Sequence, residues 1–142
     1  VGALLLDLSS TKQTPHSSPT LLASGFNTRE RDHNPTGHAE MTTLQTAAKQ
    51  LKNWRLSQTA LYVTLEPCPM CASAIIQSRI PYVVFGAYDP IAGACGSAYN
   101  LFDKPSAPHV MGGILESECT QALRRFFESR RSDAPCPHQT ND

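Results

Sequence analysis

Two short stretches of the sequence carry side chains that could act together in catalysis. "PTGHAEM" places His38 and Glu40 two residues apart at the expected start of a helix, and "EPCPMC" places Cys68 and Cys71 three apart among prolines. Two thiolates at that spacing can reach one metal ion at about 2.3 Å each. CxxC also occurs in redox proteins and structural zinc sites, and a lone His and Glu are at home on a solvated helix face. A closed structural zinc site wants four protein ligands, whereas the sequence holds no second CxxC and no HxxxH. With His38 as the third ligand, one tetrahedral position stays open, which is how catalytic zinc differs from structural zinc. Glu40 lies in the same helical turn as that ligand and can accept and return a proton without binding the metal.

These side chains can meet only if distant elements converge. "VGALLLDL" and "TLLASGF" read as strands of an antiparallel hairpin, joined by a polar tip that contains His16. After the polar connection "NTRERDHNPTG", Met41, Leu44, Ala48 and Leu51 recur at helical spacing and predict an inward helix face. "TALYVTLE" is a β-branched and aromatic strand that Pro67 stops. Pro69 opens the next helix, which should bury Ala72, Ile75 and Ile76, and "YVVFGA" follows as a strand. Helices between strands require crossovers, so a mixed sheet covered by helices is expected. That topology brings both helix starts to one edge of the sheet, and His38 to the cysteines. A long loop, "DPIAGACGSAYNLFDKPSAP", precedes a final helix from about Glu116 that presents Cys119, Leu123, Phe126 and Phe127. Adjacent residues on a helix cannot face the same way, so one of the two phenylalanines is expected in the core. Cys119 reads as a packing thiol and Cys95 as a small loop residue. Residues 132–142, with Cys136 and His138, read as a frayed tail.

A chain of 142 residues with 40% apolar and 17% charged side chains is sized and composed for one globular domain. No apolar run approaches the roughly 18 to 20 residues that a membrane-spanning helix needs, so no membrane partner is expected. The five cysteines are an odd number, and a reducing compartment, the cytoplasm, is expected rather than a disulfide framework. The first residue is not methionine, which leaves room for a removed leader. A formal net charge of zero announces no nucleic-acid partner. The distribution says more, because Arg124, Arg125, Arg130 and Arg131 crowd the final helix against three glutamates.

HxE followed by PCxxC is the signature of zinc nucleobase deaminases. The longer blocks "ALYVTLEPCPMCASAIIQSRIPYVVFGAYDPIAGACGS" and "GGILESECTQALRRFFESRR" resemble the bacterial tRNA adenosine deaminases over residues 1 to about 131. The resemblance implies a cytidine-deaminase-like α/β fold, a three-layer α/β/α arrangement around a mixed sheet of about five strands. It implies one Zn²⁺ per chain on His38, Cys68 and Cys71, Glu40 as proton shuttle, a homodimer, and a tRNA anticodon stem-loop as partner. Asn27 would contact the flipped nucleotide, Asp89 would lie beside the anticodon backbone, and Phe126 or Phe127 would lie against flipped bases. Asn27 and Asp89 are also natural turn formers. The sequence departs from the family in three places. It has no helix before the first strand, only "SAPHVMGG" with His109 before the last helix, and Tyr88 where many relatives carry Arg.

The expected reaction is hydrolytic conversion of adenosine to inosine at the wobble position. The rivals are the same chemistry on guanine, a free nucleoside or a base in single-stranded DNA, and a silent partner subunit. Glu40 argues against the silent subunit, since such a domain has no use for a proton shuttle.

Overall fold

The computed structural model describes residues 1–9 and 18–132. His16, Cys136 and His138 lie outside them, as does the expected tail apart from Ser132, which closes the last helix. Strands β1 (Gly2–Asp7) and β2 (Thr20–Phe26) form the expected antiparallel hairpin. They are followed by a short helix α1 (Arg29–Asp32), helix α2 (Ala39–Leu51), strand β3 (Thr59–Leu65), helix α3 (Pro69–Gln77) and strand β4 (Tyr82–Ala87). A three-residue strand β5 (His109–Met111) and helix α4 (Glu116–Ser132) complete the order. The five strands form one mixed sheet in the order β2-β1-β3-β4-β5. β1 pairs antiparallel with β2 and β3, while β3, β4 and β5 run parallel. The pairing of β1 with β2 shifts register between Leu5 and Leu6.

One face of the sheet, carrying Ala3, Leu5, Leu61, Val63, Val83 and Phe85, packs on Ala39, Leu44 and Ala47 of α2 and Ile75 of α3. The inward face of α2 differs from the expected one. Ala39, Glu40, Thr43, Leu44 and Ala47 are buried, whereas Met41 and Ala48 are half-buried and Leu51 is exposed. Small residues face the sheet because the helix comes very close to it. A Cβ on Gly25 of β2 would stand 2.7 Å from Thr43 Oγ1 and 2.9 Å from Ala39 O. Ile76 of α3 is likewise only half-buried, and Cys71 takes the inward position beside Ala72 and Ile75.

The opposite face meets α4, where the Cys119 side chain fills the space that a Cβ on Gly86 would need. Cys119 is therefore a packing thiol, as expected. Both Phe126 and Phe127 are exposed, at 48% and 55%, in place of the expected one in the core. Beside α4 this face leaves a cleft of about 380 Å³ lined by Leu4, Tyr62, Val84, Leu115 and Cys119 among others. Leu4 and Tyr62 are each more than a third exposed. Among the described residues no helix is long and apolar enough to cross a membrane.

Candidate functional site

β2 and β3 point the same way, each antiparallel to the β1 between them. The helices that follow them therefore start at the same sheet edge. His38 is the residue that opens α2 and Cys68 the one that opens α3, both in extended conformation and neither capping its helix with its side chain. The side chains are thus free to turn to each other while their carbonyls start the helices, accepting from Thr42 N–H and Ala72 N–H.

His38 Nδ1 lies 3.5 Å from Cys68 Sγ and 3.5 Å from Cys71 Sγ, and the three donor atoms lie within 4.8 Å of one another. Tetrahedral zinc with bonds of about 2.3 Å to sulfur and 2.0–2.1 Å to nitrogen requires a sulfur–nitrogen edge of about 3.6 Å. The spacing fits without rearrangement. The three side chains that the sequence grouped lie together in the structure.

The electrostatics point the same way. The hydrogen bond from Cys71 holds the Cys68 thiol down to about 5, with help from His38 and the Met70 and Cys71 amides. The same bond, together with burial, pushes Cys71 up. Left alone, the pair can hold one negative charge but not two. A divalent cation resolves the conflict, because both sulfurs bind it as thiolates. Glu40 is 4% exposed and stands outside the triangle of donors. Burial raises its carboxyl above the ordinary range, and the nearby Cys68 pushes the same way.

The remaining expected residues fall in two places. Asn27, Phe126 and Phe127 share a cleft of about 860 Å³ with Phe26, Arg29, Arg31 and Arg130. The Arg31 guanidinium lies 5.2 Å from the centre of the Phe26 ring, and that of Arg130 lies 5.4 Å from Phe126. Asn27 Oδ1 accepts from Arg29 N–H, and its neighbour Thr28 donates its N–H to the carbonyl of Gly37, next to His38. Asp89 lies apart from this cleft and folds its own loop, its Oδ1 accepting from the Ile91 and Ala92 amides.

Three features of the surroundings were not read from the sequence. Arg29 and Arg31, on a helix too short to show a period, line the cleft. Arg130 was read only as part of a basic helix. Glu66 is 2% exposed and accepts four hydrogen bonds from the loop after β4.

The sequence profile of the cytidine and deoxycytidylate deaminase zinc-binding region matches residues 16–87. The chain is 42% identical over 136 residues to a tRNA-specific adenosine deaminase of Haemophilus influenzae, covering 94% of this chain and 73% of that protein. It is 45% identical over 114 residues to a tRNA-specific adenosine deaminase of Bacillus subtilis, covering 78% and 71%. A solved structure from a study of A-to-I editing by tRNA:A34 deaminases superposes with a TM-score of 0.73 at 35% identity, covering 84% of this chain and 82% of that one.

Proposed function

The chain belongs to the zinc-dependent cytidine and deoxycytidylate deaminase family, on its tRNA-specific adenosine deaminase branch, and from that premise we propose that it converts adenosine to inosine at the wobble position of a tRNA anticodon. The observation that carries this reading is the His38–Cys68–Cys71 triangle, of zinc dimensions, beside a buried carboxylate that is not part of it. Residues 1–131 act as one catalytic domain, and His38, Cys68 and Cys71 hold the ion.

Bound there, zinc supplies Lewis acidity that brings the pKa of water from 15.7 towards 7. Glu40 would take one proton from that water and pass it to N1 of the adenine as the hydroxyl is added at C6. It would then take the second proton from the C6 hydroxyl and give it to the C6 amine, which leaves as ammonia and gives inosine. The raised affinity of Glu40 for a proton suits a group that must receive one and return it twice in each turnover. Asn27 and the Phe126–Phe127 pair offer a hydrogen-bonding group and exposed ring faces in one cleft, and Arg29, Arg31 and Arg130 bring positive charge to it. That combination suits a single-stranded polyanion with unstacked bases, whereas a free base needs no such surface. Asp89 is assigned to the anticodon backbone. The protein works as a homodimer in the cytoplasm, where Cys68 and Cys71 stay reduced.

Incubation with an anticodon stem-loop carrying A at the wobble position, beside free adenosine and guanine, tests the reading. Inosine should form in the stem-loop and ammonia be released. Turnover of free guanine or adenosine alone would reassign the substrate. Glu40→Ala should retain one zinc per chain and lose about 10²- to 10⁴-fold in kcat.

A further inference from the structure

Glu66 directly follows the last residue of β3, two residues before Cys68, and its carboxylate is buried with no ion-pair partner among the described residues. Four donors meet it. Oε1 accepts from Cys95 N–H at 2.9 Å and Ser97 N–H at 3.2 Å, while Oε2 accepts from Asp89 N–H at 3.0 Å and from the Ser97 hydroxyl. An ionised carboxylate has about four acceptor sites and nothing to donate, so this environment is filled by a carboxylate and mismatched to an amide. All four donors belong to residues 89–97. Gly93, in the middle of that loop, passes so close that an added Cβ would overlap the Glu66 carboxyl group.

The backbone continues the same seam. Glu66 N–H donates to Ala87 O at 2.8 Å, and Ala94 N–H donates to Pro67 O at 2.8 Å. The loop is thus sewn at both ends to the two residues that lead directly into the first sulfur of the triangle. Cys95 stands within electrostatic reach of both Glu66 and Glu40, so the loop passes close to the proton shuttle.

We propose that Glu66 is a positioning residue, whose buried carboxylate fastens both ends of the 89–97 loop to the segment leading into Cys68 and so holds that loop in place beside the metal triangle. It touches neither the ion nor the substrate and acts through the loop. The proposal rests on the deaminase reading above for its kinetic consequence, but not for its structural one.

The test uses the zinc-loaded 142-residue chain, with Glu66→Gln and Ser97→Ala as variants and two measurements on each. The first is amide hydrogen exchange at Asp89, Cys95 and Ser97, which should quicken at least about tenfold in Glu66→Gln, because the amide must turn an N–H towards at least one backbone N–H. The second is kinetics on the anticodon stem-loop. There kcat/KM should fall about 10- to 100-fold, with KM carrying more of the loss than kcat and zinc staying at one per chain. Ser97→Ala, which keeps the carboxylate and removes one donor, should move both measurements the same way but less. Unchanged loop exchange and unchanged KM in both variants would overturn the proposal. So would a loss of activity matched by loss of zinc, which would make Glu66 a support of the metal and not of the loop. If Glu66→Gln fails to fold, Ser97→Ala decides by the same criteria. If the wild-type chain does not deaminate the stem-loop, the functional reading falls, and hydrogen exchange still judges the clamp.

Discussion

Burying a carboxylate among sulfurs costs folding free energy that the same side chain on the surface would not incur. Glu40 carries that cost, since its carboxyl titrates above the ordinary value of 4.5. The native state therefore binds more protons than the unfolded chain above that pH, and stability falls as pH rises through the raised pKa. Glu40→Gln, which does not titrate, should make the metal-free protein more stable than wild type at pH 8 and leave the two alike near pH 4. The gain should appear as a higher Tm, about 4 °C for each kcal/mol, with turnover lost. A Tm difference that shrinks as pH rises would contradict this account. Glu40 and the three donors were legible in the sequence because two rare spacings, in the right order, have few joint explanations. Glu66 was not legible. A glutamate between a strand and a proline is ordinary, and its four donors come from residues 23 to 31 positions further on that no local pattern links to it.

The element that sets the site is α2, and its seat is the contact with β2. The apolar period correctly predicted a helix here and the burial of Leu44, but it misplaced the rest of the inward face. Period counting favours large side chains such as Met41 and Leu51, while a close approach selects Ala39, Thr43 and Ala47. Gly25→Ala should push the first turn of α2 away from the sheet, because two of the three atoms its Cβ would meet belong to the helix backbone. His38 and Glu40 would move with it. A cost of about 1–3 kcal/mol in stability is expected from the overpacking, with a fall in kcat larger than any loss of zinc. Wild-type kcat would show that the site tolerates a displaced helix. The four longer strands and three longer helices were readable from period and proline punctuation. α1 and β5 have four and three residues and no period to read. β5 takes its identity from pairing with Tyr82, Val83 and Val84.

At the scale of the molecule, a net charge of zero conceals an uneven distribution. Arg29, Arg31 and Arg130 surround the aromatic cleft, and Arg31 is paired with Asp32 at 2.7 Å. Each phosphate neutralised on single-stranded RNA contributes about −0.7 to the slope of log K against log salt. Arg130→Ala should therefore reduce that slope by about one contact and raise KM for the stem-loop, with little change in kcat. Equal slopes for the two proteins, measured by fluorescence anisotropy between 50 and 200 mM salt, roughly the range over which such binding collapses, would remove Arg130 from the RNA surface.

The shifted register between β1 and β2 also bears on how the molecule avoids sticking to itself. β2 is an outer strand, and Leu21 and Phe26 on it are more than half exposed. Outer strands with bare amides and apolar side chains invite edge-to-edge aggregation. Leu5 pairs with Ala23 and Leu6 with Leu21, so Leu22 is the extra residue and the ladder breaks there. An incoming strand would find two short, mutually twisted segments instead of seven residues in line, and too few consecutive hydrogen bonds to nucleate a fibre.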